Sequence, residues 1–219
     1  MMDRAPEKDL VVLVADGQME FTVRGLLTRS QSLDFQGLSA DSVDFRVHPH
    51  RDPGCLLRSH DFLRPFYRQY RHAIIMLDRE GCGREGDSRQ ELECEIEQRL
   101  SSAGWGNRAA VVVLDPELEV WVWSDSPEVD AVLGWACKTP RLAEWLKNEG
   151  YSTSGQTKPN RPKEAMERAL RLARKGRSSA IFFELAQRVS VNRCIDPAFL
   201  KFKNVLRQWF PKASTADHP

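Results

Sequence analysis

Residues 10–20 read LVVLVADGQME. The first six are continuously apolar and rich in β-branched side chains, the pattern of a strand buried on both faces. Asp16-Gly17 ends the run, and 18–29 then has helical period, with Met19, Val23, Leu26 and Leu27 on one stripe. The pattern recurs downstream. Residues 73–77 (AIIML) end at Asp78, and 109–114 (AAVVVL) end at Asp115-Pro116. Residues 42–47 (SVDFRV) alternate as a strand does. Residues 30–41 read as a polar loop, HPHRDPG after the second strand as a turn-rich connection, and the stretch with Gly81, Gly83 and Gly86 as another loop. Residues 55–70 and 88–100 have helical period, with Pro65 a breaker in the first. Strands alternating with helices predict an α/β fold, a parallel sheet flanked by helices.

Beyond residue 115 the pattern turns helical. Residues 117–123 (ELEVWVW) suit a strand by alternation and a helix by the Asp-Pro before them. Helices are expected over 127–135, 141–148, 162–175, 180–189 and 197–210, the last capped by Asp196. Residues 151–161, rich in Ser, Thr, Gly and Pro, read as a linker. The expected organisation is an α/β core over 8–125, a mostly helical C-terminal part over 126–212 packed on it, and a flexible tail over 213–219.

The 219 residues carry 41% hydrophobic and 29% charged side chains, an ordinary balance for a globular chain. No apolar run approaches the roughly 20 residues that span a bilayer. The N-terminus is charged, unlike a secretory signal. Five scattered cysteines without a CxxC pair read as reduced thiols, and the expected location is the cytoplasm. The net charge of +1 hides a division. Residues 158–219 hold 14 Lys+Arg against 5 Asp+Glu, a net +9, which leaves −8 for 1–157. An acidic half suits cations and a basic half suits a polyanion; mutual attraction of the two halves explains the division equally well.

The three apolar runs all end in an acid: Asp16, Asp78 and Asp115. Each has a further acid close by: Glu20 after Asp16, Glu80 after Asp78, Glu117 and Glu119 after Asp115. In an open parallel sheet the C-terminal strand ends form the ligand crevice. Carboxylates converging there repel one another unless a cation neutralises them, and oxygen ligands suit Mg²⁺ or Mn²⁺. Such a metal serves phosphoryl transfer or phosphodiester hydrolysis. The plainer reading is that each acid caps a helix or lies on the surface.

These residues resemble the Toprim domain. VLVADGQMEFTVRGLL looks like its first motif, an acid-Gly pair between strand and helix, and AIIMLDRE looks like its DxD strand. The departures are Asp16 where Glu is usual, and Asp78-x-Glu80 in place of DxD. With PELEVWVWSD, PKEAM and AFLKFKNVLRQW, the likeness extends over about 10–210 to a family of uncharacterised bacterial Toprim-like proteins. It is similar in particular to members encoded in anti-phage defence islands, such as the small Toprim-like component of the methylation-associated defence system. The resemblance implies a Toprim-like core, metal-dependent handling of nucleic acid and other defence proteins as partners. It assigns Asp16 as general acid or base; Glu20, one helical turn on, is read beside it as a catalytic candidate that completes or supports the site. It assigns Asp78 and Glu80 as metal ligands, with Glu117 and Glu119 as the family's acidic motif.

Other features leave alternatives open. His48, His50 and Arg51 follow the second strand and suit a metal, a phosphate contact or a plain polar loop. Arg168, Arg171 and Lys175 fall on one helix face, which fits a nucleic-acid backbone or docking on the acidic half. Four tryptophans between 121 and 145 suit a core or interface more than base stacking. GxSxG and GxxxxGK[ST] are missing from the sequence, which argues against a serine hydrolase and a P-loop NTPase. The function expected is a metal-dependent nuclease or phosphoryl-transfer component of anti-phage defence. The alternatives are a non-catalytic scaffold that binds partner proteins or DNA, and a nucleotide-binding sensor. Carboxylates around an open crevice favour catalysis; Arg or Lys side chains filling it with ion pairs favour the scaffold.

Overall fold

The three apolar runs form strands because each has a covered face on both sides. In the computed structural model, which describes residues 6–124, 126–153, 158–192 and 194–212, they become β1 (Lys8–Val14), β3 (Tyr70–Asp78) and β4 (Ala109–Leu114). The alternating segment becomes β2 (Val43–Val47). All four are parallel, in the order β2-β1-β3-β4. Val12 pairs with Phe45 on one side and Ile74 on the other, and Ile75 pairs with Val111. The inner strands are the core: Leu10 to Val14 and Ala73 to Leu77 are fully buried. This is the α/β sheet expected from the sequence, and it is consistent with a Toprim-like core.

Helices α1 (Gly17–Leu27), α2 (Ser30–Leu33), α3 (Arg51–Leu63) and α4 (Arg89–Leu100) connect the strands. Ser88 closes a capping box with Glu91 at the start of α4. Two local expectations need correction. The stretch read as a loop over 30–41 contains α2 and a single 3₁₀ turn, Ala40–Ser42. The third helix begins at Arg51 and not at 55, because Pro53 falls in its first turn, where a missing N–H costs nothing.

The C-terminal part is helical as expected: α5 (Glu119–Val122), α6 (Pro127–Val132), α7 (Leu142–Asn148), α8 (Pro162–Leu172), α9 (Ser179–Arg188) and α10 (Pro197–Trp209). The ambiguous 117–123 stretch is thus resolved as helix. Asp196 caps α10 by accepting from the Phe199 N–H at 3.0 Å. Helix α9 lies close on α1, where a Cβ on Gly25 would stand 2.7 Å from the Phe183 carbonyl oxygen. The tryptophans are core: Trp121, Trp123, Trp135 and Trp145 are buried, and the first three donate their indole N–H to Asp196, Pro162 and Ala169. The tail over 213–219 lies outside the described residues.

Strand β4 is an edge, and an open edge invites unwanted pairing. Helix α4 closes it with side chains. Glu97 accepts from the Val111 N–H at 2.9 Å and Glu93 from the Val113 N–H at 3.0 Å. Lys201 of α10 bridges both carboxylates at 3.1 and 2.7 Å. Glu93→Ala leaves a buried N–H without a partner and weakens the Lys201 clamp. Chemical denaturation should show a loss of about 1–3 kcal/mol; an unchanged midpoint would mean the edge is satisfied otherwise.

Candidate active site

The acids gather where the strands end. Asp16 follows β1 and caps α1: its Oδ1 accepts from the N–H groups of Gln18 and Met19, both at 2.9 Å. Its other oxygen takes no part in the cap. Asp78 is the last residue of β3. Its backbone N–H donates to Asp52 Oδ1 at 2.8 Å, so the first turn of α3 is tied to the end of β3. Glu117 and Glu119 sit in and just before α5, 6% and 1% exposed.

The electrostatics report the same convergence. Burial, then the charges of Asp52, Glu119, Asp16 and Glu117, push the Asp78 carboxyl well above its ordinary range. Burial raises Asp52, with Asp16 adding to it. Burial and then Glu119 push Glu117 up to about 6. Burial raises Glu119 as well, against the pull of Arg177. Asp52 was missed in the sequence because it lies five residues beyond its strand, inside a Pro-Gly stretch read as a turn. The available signal was that all four strands, and not three, are followed by an acid.

The crevice has two sides. On one, cationic side chains of the C-terminal part neutralise the glutamates. The Lys163 N–H donates to Glu117 at 2.8 Å, and its ammonium lies 3.9 Å from the other oxygen. Arg177 pairs with Glu119, reaches Gln18 at 2.6 Å and Glu167 at 2.7 Å, and lies over the Phe182 ring. On the other side, Asp16, Asp52 and Asp78 form no ion pair with a described residue. Asp78 Oδ1 is buried without a hydrogen-bond partner among the described residues. A buried carboxylate oxygen in that state needs either a proton or a cation.

Among the described residues, no three His, Cys, Asp or Glu side chains form a ready metal cage. Mg²⁺ does not require one, since it keeps several waters and takes one or two carboxylates together with substrate phosphate. Asp78, with Asp16 beside it, fits that pattern.

The remaining candidates are spread out. Glu80 is exposed beside Glu117, whose pKa it raises, and its N–H donates to the Pro116 carbonyl at 2.9 Å. Glu20 pairs with Arg24 along α1 at 2.8 Å. Asp115 is exposed and paired with Arg79 at 2.8 Å. His50 and Arg51 are exposed at the end of β2, and Arg51 has a left-handed backbone, φ 48°. Arg168 pairs with Glu149 at 2.6 Å, and Lys175 donates to the Val132 carbonyl at 2.8 Å. Arg171 is exposed with no ion pair to a described residue.

His48 needs correction as a nucleic-acid contact. It is 3% exposed, lies 5.1 Å from the Phe62 ring centroid, and accepts the His50 N–H on Nδ1 at 3.1 Å. Burial, then His50 and Arg58, lower its pKa, so it is a neutral packing residue. Its ring occupies the space over Gly54, where a Cβ would stand 2.0 Å from Nδ1. Gly54→Ala therefore forces His48 out of place and should cost about 1–3 kcal/mol in a thermal melt; a neutral effect would show that the ring is free to move.

Glu117 yields a pH prediction. Its folded pKa, about 6, lies above the ordinary 4.5. Its contribution to stability is therefore fully present below pH 4.5 and lost as pH rises through about 6. Glu117→Gln keeps the oxygen that Lys163 donates to and removes the charge. The variant should gain on the wild type across that window and level off above it, by up to about 2 kcal/mol. Parallel stability curves for the two proteins would contradict this.

Fold and crevice together define an α/β protein with an acidic site at the carboxyl edge of a parallel sheet. Comparison with protein-family models, with curated proteins and with solved structures finds no match for the chain. No helix among the described residues is long and apolar enough to cross a membrane.

Proposed function

We propose that the protein is a divalent-cation-dependent phosphodiesterase or nuclease working within a bacterial anti-phage defence system. The observation that carries the chemistry is Asp78: a buried carboxylate oxygen without a partner among the described residues, next to Asp16 and Asp52, which form no ion pair with a described residue. The resemblance to Toprim-like defence proteins supports the setting and the choice of nucleic acid as substrate. Asp78 and Asp16 would hold Mg²⁺ or Mn²⁺, with Glu80 at the rim. When bound, the ion polarises a phosphodiester and makes water a better nucleophile. Asp52 holds the end of β3 in place through the Asp78 N–H. Glu117, protonated up to about pH 6, is suited to exchange a proton with an oxygen of the substrate. His50, Arg51 and Arg171 are the exposed groups available to phosphates.

A second reading is a non-catalytic subunit that binds partner proteins or DNA. The ion pairs of Arg177 and Lys163 favour it, since they neutralise half of the crevice from within. The two readings separate in a cleavage assay on single- and double-stranded DNA and RNA with Mg²⁺ or Mn²⁺. Metal-dependent cleavage that Asp78→Asn abolishes supports the enzyme. No cleavage of any substrate, or equal cleavage by Asp78→Asn, supports the scaffold.

A further inference from the structure

Behind the acidic crevice lies a second cavity of quite different chemistry. It has a volume of about 330 Å³ and is walled by Leu26 of α1, Trp121 and Trp123 around α5, Phe182 and Leu185 of α9 and Phe199 of α10. Helix α5 is shared: it carries Glu119 into the crevice and Trp121 into this wall. A space of that size is unusual in an interior packed to crystal density, and it falls in the range of about 300–1,000 Å³ that holds small molecules.

The wall presents ring surfaces and few donors. The indole N–H of Trp121 is used by Asp196 and that of Trp123 by Pro162. Of the other polar groups in the lining, two stand out. Lys158 lines the cavity, makes no ion pair with a described residue, and sits close enough to Cys194 in the same wall to act on its thiol. Ser124, also in the lining, has a buried hydroxyl with no partner among the described residues. Ile195, 84% exposed, belongs to the lining too and marks the side open to solvent.

We propose that this cavity binds a small aromatic monocarboxylate. Four rings in the wall accommodate an aromatic body, and ring pairs add about 0.5–1.5 kcal/mol each beyond the area they bury. The ammonium of Lys158, which makes no ion pair with a described residue, accounts for one anionic end. The site needs no metal and does not depend on the reading of the crevice.

The test is calorimetric titration of the whole protein with 2-naphthoate, its neutral analogue 2-naphthalenemethanol, and decanoate. The proposal expects 2-naphthoate to bind at least about tenfold more tightly than the alcohol and more tightly than decanoate. Lys158→Gln, a change at a partly exposed side chain, should remove the preference for the acid and leave alcohol binding unchanged. Val191→Trp, which fills the cavity, should abolish binding of all three. No binding of 2-naphthoate, equal binding of acid and alcohol, tighter binding of decanoate, or an acid preference that survives Lys158→Gln would each overturn it.

Discussion

Replacing Arg177 by alanine is expected to destabilise the protein by about 3–5 kcal/mol at neutral pH, because it leaves a buried carboxylate alone. Glu119 is 1% exposed and Arg177 is its cationic partner. The same guanidinium ties Gln18 of α1 to Glu167 of α8, so the loss spreads over the join between the sheet and the C-terminal helices. The cost should depend on pH in a defined direction. Burial already raises Glu119, and without Arg177 it rises further. A group with a raised folded pKa stabilises below its unfolded pKa and loses that contribution as pH rises. The deficit of Arg177→Ala should therefore be small in acid and full at neutral pH. Adding Glu119→Gln to Arg177→Ala should recover a large part of it, since the orphaned charge is gone. Denaturation of the three variants at two pH values decides the matter. An Arg177→Ala protein as stable as the wild type would show that Glu119 is not held by this pair.

Asp78→Asn is expected to stabilise the protein and disable it together. Without metal, the wild type must either protonate Asp78 or keep an ionised carboxylate buried among other acids. Its pKa is raised, so its stabilising contribution is present below 3.8 and lost as pH rises. At pH 8 the asparagine variant should exceed the wild type by at least about 1 kcal/mol, and near pH 4 the two should match. On the proposed function, loss of Asp78 as a ligand should lower metal-dependent activity by more than about 100-fold, the upper end of what supporting residues around a metal cost. Residues placed for function often cost stability in this way. A variant less stable than the wild type at pH 8 would mean that the Asp78 carboxylate has a favourable partner after all.

Much of the fold was legible because the buried strands declare themselves locally. Residues 10–15, 73–77 and 109–114 are apolar at every position, which only a strand covered on both faces requires. The start of α10 was legible from its cap, Asp196. The rest depends on contacts between distant residues. Residues 88–100 read as a charged helix, but nothing in their period shows that Glu93 and Glu97 bond to the edge of β4. Gly54 read as a turn residue; it is a helical glycine because His48 occupies the space over it. Asp16 and Asp78 were found because they end strands, whereas Asp52 enters the crevice from a helix and is identified by its bond to the Asp78 N–H. The inward turn of Arg177 toward Glu119 has no local signature in the sequence.

The most direct test of the acidic crevice is thermal melting during titration with Mg²⁺ and Mn²⁺, for wild type and Asp78→Asn, with and without a phosphorothioate oligonucleotide. A cation bound only by the folded state raises the melting temperature in proportion to how far its concentration exceeds Kd. The expected result is a rise in the wild type that grows with metal and is lost in Asp78→Asn. A melting temperature that responds to neither ion in either condition, or that responds equally in Asp78→Asn, would contradict a cation site at the end of β3.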